Sequence, residues 1–158
     1  MLTAGIISAT GNITGNYILG NGSQLTGISV SGLSSRSNVT VYSGSIANAA
    51  NANVTAVGFK GYALYGITTT ANAWVTVYTS TAARTADASR TITTDPTPGS
   101  GVVGEIISAN TSTQWFTPAV TGFSTETSPD SNIQLKISNQ SGTTANIGVT
   151  LTLLKLEN

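Results

Sequence analysis

The chain has 158 residues, and only 8% of them are charged, with six lysines and arginines balanced by six acidic residues. This length fits one compact domain with an appendage, and so few charges supply neither the basic surface of a nucleic-acid-binding protein nor a patch for an anionic membrane. The sequence contains no histidine and no cysteine, which excludes Ser-His-Asp and Cys-His catalysis, disulfides, and metal sites of the imidazole or thiolate type.

The start of the sequence, MLTAGIIS, lacks the basic region and the long apolar run of a secretory signal. No stretch approaches the roughly 18–20 apolar residues of a membrane span. We therefore expect a protein that is made in the cytoplasm and has neither membrane nor nucleic acid as a partner.

Residues 1–35 carry apolar side chains in short bursts that are separated by Gly and Asn, which is typical of strands and tight turns. Such a ribbon is marginal alone, because burying a large side chain is worth about 1.5–3 kcal/mol whereas ordering each residue costs about 1–2 kcal/mol. It needs a further surface, either in its own domain or in neighbouring copies, and we favour neighbouring copies over a flexible linker. The expected contact residues of this arm are Ile13, Tyr17, Ile18, Leu19, Leu25 and Ile28.

The pattern changes after residue 35, where short apolar runs with strand-like alternation follow one another between turn residues. One of these runs, residues 74–78, places Trp74, Thr76 and Tyr78 on one face of a strand. Two segments, 45–52 and 81–89, are candidates for short helices of a turn or two. The predicted strands are 39–42, 54–59, 62–67, 74–78, 102–107, 114–116, 133–137 and a last strand around 147–153.

The last strand gives the clearest pattern, with Ile147, Val149, Leu151 and Leu153 on one face and glycine and threonines on the other. One face of this strand should therefore lie in a core. Strands at this spacing, joined by turns rich in Gly, Pro, Ser and Asn, predict an all-β fold over residues 36–158: an antiparallel β-sandwich of the jelly-roll kind, with a closed barrel as the lesser alternative.

Candidate polar contacts are concentrated in the segment AARTADASR, residues 82–90. Arg84 or Arg90 can pair with Asp87 or Glu105, within one subunit or between subunits. The alternative is an exposed ion pair that contributes little to stability.

Chemical sites are otherwise sparse. The sequence has six carboxylates, most of them in predicted loops, and no visible pair for glycoside hydrolysis, so we expect neither an enzyme nor a cofactor. Aromatic residues on alternating strands are typical of a core, although an exposed ring such as that of Trp115 is a candidate contact for a glycan.

Residues 11–28, GNITGNYILGNGSQLTGI, resemble the glycine-punctuated modules of structural proteins from tailed phages, and especially cyanophages. The sequence from GFKGYALYGITTTANAWVTVY at residue 58 to LTLLKLEN at the end is similar to a β-domain that recurs in phage virion proteins. The resemblance implies homotrimers in which the glycine-rich arms intertwine and the β-domains stand outward.

Long tail fibres carry many repeats of the Gly-Asn module, whereas this chain carries one, which favours a decoration (cement) protein on the outer surface of a virion capsid. Its expected partners are two further copies and the major capsid protein. The alternative is a short tail-fibre or receptor-binding protein that contacts host glycans.

Overall fold

The computed structural model describes Thr10, residues 35–109 and residues 111–157. These residues form eight β-strands and one short helix, α1, which spans Thr81–Ala86. The strands are β1 Arg36–Ile46, β2 Asn51–Val57, β3 Gly61–Thr69, β4 Ala73–Tyr78, β5 Val102–Ser108, β6 Thr113–Phe123, β7 Asn132–Asn139 and β8 Ala145–Glu157.

The strands form two four-stranded antiparallel sheets, with orders β1-β8-β3-β6 and β2-β7-β4-β5. This order is that of an eight-stranded jelly roll, in which consecutive strands lie in different sheets except β4 and β5, which are paired neighbours in one sheet. The prediction of an all-β antiparallel sandwich is therefore confirmed. The six arm residues named above lie outside the described part of the chain, so their contacts stay a prediction.

The core lies between the two sheets and consists of aliphatic side chains that alternate along the strands. In β8, Ile147, Val149, Leu151 and Leu153 are fully buried, as the alternation predicts. In β4, Ala73, Val75 and Val77 point into the same core. By area, each large side chain buried here is worth about 1.5–3 kcal/mol.

The helix prediction for residues 45–52 is wrong. β1 runs to Ile46 and β2 begins at Asn51, with a turn between them in which Ala49 has a φ of 63°. The backbone N–H of Ala49 donates to the carbonyl of Asn139, and the N–H of Asn139 donates to Ala50. The backbone of this segment therefore pairs with the end of β7. Because the segment has no amphipathic stripe, no burial of an apolar face would stabilise a helix here.

The helix predicted within residues 81–89 is present as α1. Ser80 precedes it in an extended conformation and accepts a hydrogen bond from the N–H of Ala83, which is the usual arrangement of an N-cap. The strand predicted at 114–116 is longer than expected and runs from Thr113 to Phe123, through Pro118. β6 is a sheet edge, where proline is tolerated because one side of the strand has no partner to bond.

Candidate functional site

The outer faces of the two sheets differ, and each contains a candidate site. The outer face of β2-β7-β4-β5, here called the covered face, carries Trp74, Thr76, Tyr78 and Lys136, all of them buried. The segment between β4 and β5, residues 79–101, lies against this face, since Lys136 Nζ donates to the backbone carbonyl of Asp87 over 2.8 Å. The outer face of β1-β8-β3-β6, here called the open face, faces solvent.

Asp87 is the centre of a buried charge cluster on the covered face. Its carboxylate accepts a hydrogen bond of 2.8 Å from the Tyr78 hydroxyl. Arg90 Nε donates to both of its oxygens, at 2.8 and 3.0 Å. Lys136 Nζ lies 3.8 Å from Oδ2. The side chains of Asp87, Arg90 and Lys136 are 7%, 6% and 3% exposed, so these are not surface ion pairs.

Arg90 connects this centre to β4 and β5. Its Nη2 donates to Glu105 Oε2 over 2.7 Å, and its Nη1 donates to the carbonyl of Thr94 over 3.0 Å. The guanidinium lies 4.9 Å from the centroid of the Trp74 ring, and Lys136 Nζ lies 4.8 Å from it. Trp74 in turn donates from Nε1 to Glu105 Oε2 over 3.1 Å. The ring therefore packs against two cations, which is favourable when the cations are desolvated.

The protonation states follow from these contacts. Burial alone would raise the pKa of Asp87, but the hydrogen bonds from Arg90 and Tyr78 outweigh it and hold that pKa below its ordinary value. Burial would lower the pKa of Arg90, yet its bonds to Asp87 and Glu105 raise it. Burial raises the pKa of Tyr78, and the bond to Asp87 adds to the rise. Asp87 and Arg90 are thus ionised at neutral pH while the Tyr78 hydroxyl stays protonated, and these groups bond to one another.

Some of the predicted polar contacts are found in the structure and others are not. Arg90 pairs with both Asp87 and Glu105 within one chain, and the alternative of an exposed pair is wrong for them. The pairing of Arg84 with Asp87 or Glu105 is not found: Arg84 Nη1 donates instead to the carbonyls of Val54 and Leu135, at 2.9 and 3.3 Å. A contact between subunits through these residues stays a prediction.

Three members of the cluster were missed from the sequence: Lys136, Trp74 and Tyr78. Lys136 lies in the run IQLKI, where alternation sends Ile133, Leu135 and Ile137 inward and Lys136 outward. An outward lysine is normally solvated. The available signal was weak: Trp74 and Tyr78 lie on the same face of β4, and aromatic side chains on alternating strands are more often buried than exposed.

An open groove of about 1050 Å³ lies beside α1, between residues 79–86, 96–105 and 121–125. Among the described residues that line it, Glu105 alone is ionisable, and Arg90 already holds that carboxylate. The groove therefore brings no pair of carboxylates together for glycoside hydrolysis. Within residues 35–109 and 111–157, no group of three or more acidic side chains is arranged to hold a metal ion.

The central rows of the open face consist largely of short polar side chains on the four strands. One row joins Thr40, Thr150, Thr68 and Thr113 on successive strands. The hydroxyls of Thr40 and Thr150 share a hydrogen bond of 2.8 Å, and those of Thr68 and Thr113 share one of 2.6 Å. In the next row, Thr152 donates to Asn38 Oδ1 over 3.0 Å and Trp115 lies opposite Gly66.

Aromatic rings lie on the open face where glycine leaves space. A Cβ on Gly66 would stand 2.8 Å from Trp115 Cε3, and one on Gly148 would stand 2.9 Å from Tyr42 Cε1. Each ring thus rests on a glycine backbone, and Tyr42 and Trp115 remain 61% and 59% exposed. The expectation that aromatic side chains on alternating strands lie in a core is wrong for Trp115, and its contact with a glycan remains a proposal.

No family model, curated protein or solved structure matches the chain. In the part of the chain that the structure describes, no helix is long and apolar enough to cross a membrane.

Proposed function

We propose that this chain is a structural protein of a phage virion, a trimeric decoration protein that binds the outer surface of the capsid and stabilises the junctions between capsomers. The observation that carries the proposal is that a jelly roll with its own core follows, in the sequence, an 18-residue glycine-punctuated segment that resembles modules of virion proteins. Because one fold serves many functions, the jelly roll alone would not support this choice.

The packing of the domain supports a mechanical function. Its core is filled by aliphatic side chains between the sheets, and the ionic groups of its covered face are bonded to one another. Such packing resists deformation, since close-packed interiors have low compressibility. A rigid domain suits a protein that clamps neighbouring subunits.

The proposed mechanism shares the binding among three copies. The apolar bursts of the arm, including Tyr17, Ile18 and Leu19, would be buried against the arms of two other copies and against the shell. Linking three weak contacts raises the overall affinity, because the second and third contacts form at a high effective concentration. Resistance to internal pressure would follow from the added buried area across each junction.

The first test counts the copies of this chain in purified virions by quantitative mass spectrometry, relative to the major capsid protein. We expect a ratio of the same order as that of the shell protein. A few copies per particle would overturn the capsid assignment and support the second candidate, a short tail-fibre or receptor-binding protein. The exposed Trp115 on the open face is the observation that favours this second candidate.

The second test addresses the trimer. In the full chain, Tyr17, Ile18 and Leu19 are replaced together by serine, and the mass in solution is measured by analytical ultracentrifugation. We expect the unmodified chain to sediment as a trimer and the variant as a monomer. Val57→Ser, at a residue that is 73% exposed on an edge strand, is the matched control and should leave the trimer intact. A variant that still forms trimers would contradict the function proposed for the arm.

A further inference from the structure

The two rings on the open face are held with one side to the protein and the other to solvent. Tyr42 rests on Gly148 and Trp115 rests on Gly66, as the close approaches given above require. A ring that lies over a glycine in this way keeps its outer face free. Both side chains are more than half exposed, so each presents a flat apolar surface to a ligand.

The area between the rings is rich in hydrogen-bonding groups without charge. Each hydroxyl has one donor and two acceptor positions, so the pair Thr40 and Thr150 retains one donor and three acceptor positions after forming its own bond. Asn38 and Thr152 form a similar pair in the next row. Among the described residues, Arg36 is the only charged one in these two rows and in the neighbouring row of Leu154 and Ala63, and its guanidinium lies 5.5 Å from the centroid of the Tyr65 ring.

The two rings stand far apart. Tyr42 pairs with β8 at Gly148, and Trp115 reaches the same sheet at the level of Thr152. Tyr42 lies on β1 and Trp115 on β6, so three strand spacings of about 4.8 Å separate them across the sheet. Along the strands, Gly148 and Thr152 mark their positions, which are four residues apart at about 3.4 Å each. The separation is therefore roughly 20 Å along the diagonal of the sheet. A ligand that contacts both rings must be an extended molecule.

We propose that the open face binds a neutral polysaccharide chain along this diagonal. A pyranose ring has an apolar face of C–H groups and a rim of hydroxyls. The apolar face stacks on Trp115 or Tyr42, and the rim exchanges hydrogen bonds with the threonine and asparagine side chains between them. This inference does not rest on the position of the chain in a virion, because a decoration protein and a tail protein can both present such a face.

Two other extended ligands fit less well. Single-stranded nucleic acid also stacks on aromatic rings, but its binding sites follow the phosphates with a groove of positive charge, which these rows lack. A protein partner would require a contiguous apolar centre, whereas the rings of Tyr42 and Trp115 are separated by hydroxyls and the exposed Leu156 lies beyond the two rows. Neutrality and the spacing of the rings therefore favour a neutral glycan.

The rings also have a simple structural explanation, because an aromatic side chain over a glycine shields the backbone and stabilises a sheet. A ring that only shields the backbone would affect unfolding when removed and would affect no ligand. The test must therefore measure binding and unfolding separately.

The experiment uses affinity electrophoresis of the full chain through gels that contain a galactomannan, a mixed-linkage β-glucan, a xylan or, as the acidic counterpart, alginate. We expect retardation by at least one neutral polysaccharide and none by alginate. Tryptophan fluorescence provides an independent signal: Trp74 is buried and Trp115 is exposed, so binding should shift the emission of Trp115 to shorter wavelength. Trp115→Phe should remove that shift and retain part of the binding.

The decisive variant is Trp115→Ala combined with Tyr42→Ala, for which we expect at least a tenfold loss of affinity with the thermal midpoint of unfolding recorded in parallel. Ile107→Ala is the matched control: Ile107 is also 59% exposed, but it lies on the other sheet, and its replacement should leave binding unchanged. Thr150→Val, which removes a hydroxyl at nearly constant shape, should weaken binding severalfold in a chain that still folds.

Three results would overturn the proposal: no retardation by any of the neutral polysaccharides, retardation that survives the double replacement, or equal retardation by alginate. A change of mass in solution on replacing the rings would instead assign the face to contact between copies. None of these results alters the copy number in virions, so the failure of this inference and that of the proposed function are distinguishable.

Discussion

In both sheets the strands alternate between inward apolar residues and outward residues. The central part of the outer face of one sheet is nevertheless buried, whereas the outer face of the other is exposed. On the covered face, Trp74, Tyr78 and Lys136 are buried under residues 79–101 and bonded to Asp87 and Arg90. On the open face, Trp115 and Tyr42 are exposed beside pairs of threonines. An outward polar or aromatic residue is therefore structural when a connection covers it, and it is accessible to a ligand when none does.

The largest expected effect is on the covered face, where Asp87→Ala leaves the buried Arg90 and Lys136 without their shared carboxylate. Removing one partner of a buried ion pair typically costs about 3–5 kcal/mol, because the remaining charge is uncompensated. We expect that loss in the free energy of unfolding, measured by urea titration. Asp95→Ala, at an exposed loop carboxylate, is the control and should stay within about 0.5 kcal/mol. Equal effects of the two variants would contradict the structural importance of the cluster.

The Asp87 carboxylate also makes the stability of the fold decrease at acid pH. The pKa of folded Asp87 lies below the ordinary value of 3.8. Its contribution is therefore present above that value, begins to decrease as the pH approaches it, and is lost as the pH falls through the folded pKa. We expect the urea midpoint to fall between pH 5 and pH 2, and to fall less steeply in Asp87→Asn, where no proton is taken up at this position. Identical slopes for the two chains would show that other carboxylates dominate.

The smallest effects compare one threonine from each face. Thr76 is fully buried on the covered face and donates to Glu105 over 3.4 Å, so Thr76→Val should cost about 1 kcal/mol. Thr150→Val on the open face removes only a cross-strand hydroxyl pair and should change the free energy of unfolding by less than about 0.5 kcal/mol. Both values come from the same urea titrations. A larger cost for Thr150→Val would indicate that the hydroxyl rows stabilise the sheet.

Most of the fold could be predicted from the sequence because alternation is a local property. In β8, the apolar residues at every second position define a buried face whatever covers them, and the same holds for Ala73, Val75 and Val77 in β4. The error at residues 45–52 has the opposite cause: their short, alanine-rich sequence carries no alternation, and pairing with β7 decided their conformation.

The candidate sites depended on contacts that are distant along the chain. The sequence placed Arg90, Asp87 and Glu105 within reach of one another, but Lys136 joins them only because β7 lies beside β4 in the sheet. Likewise, Trp74 and Trp115 both stand on strands, and their local patterns do not separate them. One is buried and the other exposed because residues 79–101 pack over one sheet and leave the other to solvent.

Composition and a period of two are enough to predict the all-β class, the inward faces of the strands and the absence of imidazole and thiolate chemistry. The tertiary structure decided which outward residues are buried, that Arg84 bonds to backbone carbonyls rather than to a carboxylate, and that two aromatic rings lie over glycines on one open face. These outcomes depend on which strands are neighbours and on where a long connection packs, and neither is encoded in the pattern of any single segment.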